Sequence, residues 1–191
     1  MDGLIQKIRG LIPLSTEAEI YLRSIGEFKK FSKGETLIRA GQWVNATYYV
    51  TQGSIRSFCI DREGKEHTLQ FAIQDWWISD YMAVYDHAPA SLTVECLTDS
   101  EVIAFDPEKL DNIYLQFPEF EPYKRKNLER HIVSLHKRIL NQLQLSATER
   151  YVLFLEQYPE LERSIPNYHI ASYWGMTQQS LSRVRAQMAK R

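Results

Sequence analysis

The sequence predicts an α+β fold: an N-terminal antiparallel β-roll, then a long helix, then a C-terminal helix-turn-helix of winged-helix type. Three observations carry that prediction. Short apolar runs punctuated by glycine fill the first hundred residues, a single heptad-like seam follows, and residues 167–186 combine small, turn-forming and apolar positions in one compact order.

After an opening helix, Thr16-Glu17-Ala18-Glu19 reads as a capping box ahead of Ile20, Leu22 and Ile25. The apolar runs are Thr36 to Ile38, Tyr48 to Val50, Ser54 to Ile60, His67 to Ile73, Leu92 to Leu97 and Val102 to Phe105. Gly34, Gly41, Gly53 and Gly64 fall between or beside them, and Asp61-Arg62-Glu63-Gly64 is a hairpin signal. Short strands at this spacing close into a sandwich or barrel. Asp80 to Asp86 fits one short helix, and Asp106-Pro107-Glu108 starts another with proline at its first position.

A long helix is expected from near Pro122 to residue 145. Leu128, Ile132, Leu135, Ile139 and Gln142/Leu143 recur at spacings of 4, 3, 4 and 3/4. Lys124, Arg125, Lys126, Glu129, Arg130, Lys137 and Arg138 flank this stripe. Packing against the chain's own barrel is one use for it. A narrow apolar seam with charged flanks favours pairing with a second copy.

Ser146-Ala147-Thr148-Glu149 is a second capping box, with Val152, Leu153 and Leu155 behind it and Pro159 ending the helix by Tyr158. Leu161 to Pro166 then reads as a connector. In the segment NYHIASYWGMTQQSLSRVRA, Ala171 is small where a second helix must cross, and Gly175 tolerates a positive φ in the turn. Ile170, Trp174, Met176, Leu181 and Val184 supply the inner faces, and Thr177 is placed to cap the second helix. An ordinary αα-hairpin is the plainer alternative.

Charge separates the two ends of the chain. Residues 1–121 hold 11 Lys/Arg against 19 Asp/Glu, and residues 122–191 hold 12 against 5. The basic end therefore suits a polyanion, or docks on the acidic end. No Asp or Glu occurs from 163 to 191. In a major groove the second helix presents Gln178, Gln179, Ser182 and Arg183 to base edges, Arg suiting guanine and Gln adenine. Thr177, Ser180, Arg185 and Lys190 are better placed for phosphates.

Cys59 and Cys96 sit in apolar runs without a CxxC spacing, so both read as buried free thiols. The N-terminus lacks the uninterrupted apolar stretch of a signal peptide, and no run reaches the ~18 residues that span a bilayer. A cytoplasmic protein with no membrane partner is expected. His67, His87, His131, His136 and His169 are scattered, so no metal site, cofactor or catalytic dyad is expected, and the chain does not read as an enzyme.

Phe31-Ser32-Lys33-Gly34-Glu35, Leu37-Ile38-Arg39-Ala40-Gly41 and Tyr48-Tyr49-Val50-Thr51-Gln52-Gly53-Ser54-Ile55-Arg56 look like the opening strands of a cyclic-nucleotide-binding β-roll. With the long helix and helix-turn-helix in the same order, the chain resembles the Crp/Fnr family of bacterial transcription regulators over almost its whole length. The resemblance implies three parts: a sensor roll over residues 1–115, a dimerisation helix over 116–145 and a DNA-binding domain over 146–191. It implies a homodimer paired through Leu128, Ile132, Leu135, Ile139 and Gln142 that reads a near-palindromic operator in double-stranded DNA, with RNA polymerase as a further partner. Gln178, Gln179 and Arg183 match the family's main base-reading positions. Only the Arg keeps the type found in cyclic-AMP-responsive members, so a different operator is expected.

Cyclic-nucleotide binders of the family use a Gly-Glu pair before a short helix and an Arg-Ser/Thr pair at the next strand. Here the positions read Ser79-Asp80 and Ala90-Ser91. Asp80 can accept from a hydroxyl, but Ala90 cannot neutralise a phosphate, so cyclic AMP is not the expected effector. Ser79, Asp80, Tyr81, Ala90 and Ser91 remain the candidate pocket for some other small molecule. Trp76, Trp77, Tyr81 and Tyr85 either line it or are core. The iron–sulfur members' N-terminal cysteine cluster is absent. The competing function is a ligand-sensing adaptor that acts through protein partners with a non-functional helix-turn-helix.

Overall fold

Two four-stranded sheets occupy Gly26 to Phe105 in the computed structural model, which describes residues 1–189. The first sheet has the order β1 (Gly26–Phe31), β8 (Ser100–Phe105), β3 (Thr47–Gln52), β6 (Trp77–Ile78). The second has the order β2 (Thr36–Ile38), β7 (Thr93–Cys96), β4 (Ile55–Ile60), β5 (Glu66–Ala72). The chain divides into two compact units. One is Met1–Ser57 with Phe71–His131, and the other is Phe58–Gln70 with the chain from Ile132 onward.

The first unit has two cores, because the middle strands of its first sheet are buried on both faces. Val50, Val102 and Ala104 face inward with Ile38, Ile55, Ala72, Ile78 and Val94. The alternate residues Tyr49, Ile103 and Phe105 face a second layer. That layer consists of α1 (Asp2–Arg9), α2 (Thr16–Ile25), α4 (Pro107–Gln116) and a short 3₁₀ turn at Pro118–Phe120, contributing Leu4, Ile8, Leu22, Ile113 and Phe120. A strand covered on both sides reads as an unbroken apolar run, which is what Val102-Ile103-Ala104-Phe105 is. β1 and β6 lie outside the runs expected from sequence. β1 is an edge strand with Glu27 and Phe28 in solvent, and β6 is only two residues long.

The first capping box is a correction. The cap of α2 is Ser15, which accepts from the Ala18 N–H, and Thr16 is already helical. That register turns Ala18 and Leu22 inward, leaves Ile20 exposed, and sends Glu19 to Arg9 and Arg23. The carboxylate that accepts from the Ser15 N–H comes instead from Glu119, at 2.8 Å. The other helix starts fall where expected. Asp80 caps α3 (Tyr81–Asp86), Asp106 caps α4, and Ser146 with Glu149 forms a complete capping box on α6 (Ala147–Gln157). At the hairpin tip Asp61 accepts from the N–H groups of Glu63 and Lys65.

α5 (Glu121–Gln144) is continuous over 24 residues, about 36 Å. In the second unit it is followed by α6, α7 (Leu161–Ser164), α8 (Asn167–Tyr173) and α9 (Gln178–Met188). Their shared core is aromatic: Phe154 lies 5.3 Å from Tyr158 and 6.3 Å from Tyr173, and Tyr173 lies 5.1 Å from Trp174. Tyr151 and Phe154, rather than Val152, Leu153 and Leu155, are the buried residues of α6. The wing is a second correction. No strand follows Phe105 among the described residues, and the connector 161–166 instead holds α7, which Pro166 closes off.

β5 is an edge strand, and helices of its own unit close part of that edge. The Ser172 hydroxyl donates to the Glu66 carbonyl at 2.8 Å and accepts from the Thr68 N–H at 2.8 Å. The Arg138 guanidinium donates to the carbonyls of Thr68 (2.9 Å) and Leu69 and lies over the Tyr173 ring. Burial pulls the pKa of Arg138 below its ordinary value.

Candidate nucleic-acid interface

α8 and α9 meet through a tight turn whose parts each have a cause. Gly175 has φ +64°, while a Cβ there would meet nothing closer than Gln142 Nε2 at 4.0 Å, so backbone conformation and not space demands glycine. Ala171 is buried, and Ile170, Trp174, Met176, Leu181 and Val184 are buried around it. Thr177 caps α9 by accepting from the Ser180 N–H at 3.1 Å.

With Leu181 and Val184 inward, the opposite side of α9 faces solvent. Gln178, Gln179, Ser182, Arg183, Ala186 and Gln187 are all exposed. Arg183 donates to the Ser180 hydroxyl at 3.4 Å, and that hydroxyl also lies 3.0 Å from Thr177 Oγ1. Four long polar side chains thus stand on one surface with no acidic residue nearby on their own helix. Such a surface can offer guanidinium and amide groups to base edges and small hydroxyls to phosphate. Arg185 is placed differently from the rest: it pairs with Glu162 at 2.8 Å and with Asn167. Lys190 lies outside the described residues.

The candidate effector residues do not form one open site. Asp80 is 0% exposed. Its Oδ1 accepts from the Ala83 N–H at 3.2 Å. Its Oδ2 accepts from the Ser91 N–H (2.7 Å), the Ser91 hydroxyl (3.1 Å) and the Leu92 N–H (2.8 Å). Ser79 and Ala90 are buried beside it, and Ser79 donates to the Ala46 carbonyl. The aromatics go to different places. Trp76 packs on the inner core. Trp77 sits between Tyr49 and Phe105 and donates to the Tyr123 hydroxyl at 3.1 Å. Tyr81 and Tyr85 reach solvent, and Tyr81 lies against His131, whose pKa burial lowers.

On α5 the apolar seam is the exposed side. Leu128, Ile132, Leu135 and Ile139 are 40–53% exposed and Leu143 is 78% exposed, with Val133 and Leu140 widening the stripe. Gln142, by contrast, is half-buried and donates to the Tyr173 carbonyl at 3.5 Å. The half-buried positions of the helix are mostly polar: Asn127, Ser134, Arg138 and Asn141.

Comparison with known proteins agrees with this frame. Residues 28–117 match the cyclic nucleotide-binding domain family. The chain is 22% identical over 167 residues to the transcriptional activator protein Anr of Pseudomonas protegens, covering 82% of this chain and 68% of that one. A regulator of the Crp/Fnr family from Eubacterium rectale superposes with a TM-score of 0.74 at 16% identity, covering 93% of this chain and 85% of the other. In fold and element order the chain resembles that Crp/Fnr regulator. The c-di-GMP-responsive regulator CLP of Xanthomonas campestris is also similar, with a TM-score of 0.71, 13% identity and 92% of both chains covered.

Within this Crp/Fnr-type frame, three features went unread in the sequence. The saturation of Asp80 depends on backbone donors eleven and twelve residues away. The closure of the β5 edge by Ser172 and Arg138 spans up to 106 residues. The pairing of Arg185 did leave a sign: two residues past Arg183 is about 200° around a helix, hence the opposite face. No described helix is long and apolar enough to cross a membrane, and no described group of His, Cys, Asp and Glu could hold a metal ion.

Proposed function

We propose that this chain is a sequence-specific DNA-binding transcription regulator that works as a homodimer and does not respond to cyclic AMP. The observation that carries the reading is the outer face of α9: Gln178, Gln179, Ser182 and Arg183 project into solvent from a capped helix that contains no acidic residue. In this reading Gln178, Gln179, Ser182 and Arg183 face base edges, and Thr177 and Ser180 support backbone contacts. Residues 1–115 form the sensor roll, 116–145 the dimerisation helix and 146–191 the DNA-binding part.

The second copy is inferred from the exposed stripe of α5. Seven large aliphatic side chains on about four turns of helix are costly in water and match a self-complementary two-fold seam. Indifference to cyclic AMP follows from Asp80. Its carboxylate consumes the donors of Ser91 and Leu92, and Ala90 offers no cation for a phosphate.

Selection of bound duplexes from a random pool tests the reading directly. An enriched motif with half-site centres about 10 bp or a multiple apart is expected. Absence of binding to any duplex at about 50 mM salt would end it. Leu135→Glu with Ile139→Glu should shift the protein to monomer in sedimentation and abolish motif binding. Cyclic AMP added at millimolar level should leave both measurements unchanged.

A further inference from the structure

We propose that Arg185 is the positioning residue of the reading helix, held by Glu162 and Asn167 so that α9 keeps the rotation that aims Gln179 and Arg183 outward. The proposal rests on the DNA-binding reading above and assigns Arg185 a task other than phosphate contact.

On α9 each residue advances about 100°, so Arg185 lies beside Leu181 and Val184 and away from Arg183. Its Nη2 lies 2.8 Å from Glu162 Oε1, and its Nη1 donates to Asn167 Oδ1. The same Glu162 oxygen accepts from the Tyr151 hydroxyl at 3.0 Å. Burial pushes that phenol up to about 12, so it stays a donor at neutral pH. One carboxylate oxygen therefore joins α6, α7 and α9, and Asn167 adds α8.

Apolar packing of Leu181 and Val184 holds α9 down but is non-directional. A planar guanidinium shared between two acceptors on different helices is directional. On a helix of about 5–6 Å radius, a 20° rotation moves the outer surface by about 2 Å, enough to break a base contact. Glu162 also cancels the charge that Arg185 would bring to a phosphate.

Charge makes the test decisive. Glu162→Gln removes an anion near a polyanion. Electrostatics alone then predicts tighter binding, whereas a clamp predicts weaker binding at the selected motif. Wild type, Glu162→Gln, Arg185→Met, Arg185→Lys and the Glu162→Gln/Arg185→Met double variant are compared on the selected duplex and a scrambled one, over a salt series, with melting curves as a folding check. Each single variant should lose roughly tenfold at the motif and little on scrambled DNA, with an unchanged salt slope. The double variant should be no worse than either single, and Arg185→Lys should not rescue. A slope reduced by about 0.9 in Arg185→Met, with equal loss on both duplexes and tighter binding by Glu162→Gln, overturns the clamp in favour of a phosphate contact. Wild type that binds neither duplex overturns the clamp together with the reading beneath it.

Discussion

The seat of Asp80 and the outer face of α9 contain similar groups in opposite states. Around Asp80, three N–H groups and a hydroxyl converge on one buried carboxylate, and all are spent within the chain. On α9, Gln178, Gln179 and Ser182 make no side-chain hydrogen bond to the described residues and stand in water. Polar groups that the fold has satisfied internally contribute to stability. Those left outward are available to a partner. Under the proposed function, the groups left for a partner are those on α9, while the donors around Asp80 are engaged within the chain.

Four substitutions test that contrast, in falling order of effect. Asp80→Ala leaves its buried donors unmatched and should cost about 3–5 kcal/mol, read as a lower urea midpoint at constant slope. A change below 1 kcal/mol would mean that the seat is not structural. Arg183→Ala should leave stability within about 0.5 kcal/mol but cost about 1–3 kcal/mol of binding at the selected motif, with relaxed preference at one base pair. Gly175→Ala forces a side chain into positive φ and should cost about 1 kcal/mol of stability, weakening binding only as far as the turn distorts.

The smallest effect concerns the cap of α2. The backbone N–H of Ser15 holds the Glu119 carboxyl below its ordinary value of 4.5. A depressed folded-state pKa means that this contribution is complete above about pH 4.5 and fades as the pH falls through the lowered value. Glu119→Gln should flatten the acid end of the stability profile there and change nothing at pH 7 in DNA binding.

Legibility in the sequence followed the range of the interactions. The helix-turn-helix was legible residue by residue, because its cap, glycine and apolar positions lie within twenty residues and each has a local cause. The long seam was legible as a pattern, yet the exposure of its side chains could be read only from the folded chain. At Ser15, two adjacent hydroxyl residues offered competing caps, and the carboxylate that decided between them came from Glu119, 104 residues away. The pairing of Arg185 was harder to read, because its acidic partner Glu162 lies just ahead of the acid-free stretch.

Arg138 and Ser172 guard a free strand edge, and that has a practical consequence for anyone cutting the molecule apart. A fragment ending near residue 131 keeps β5 but loses both guards, and with them the bonds that Ser172 and Arg138 make to the carbonyls of Glu66, Thr68 and Leu69 and to the Thr68 amide. Strand edges left unguarded recruit neighbouring chains. Isolated roll preparations should therefore precipitate or grow fibrils at concentrations that the whole chain tolerates.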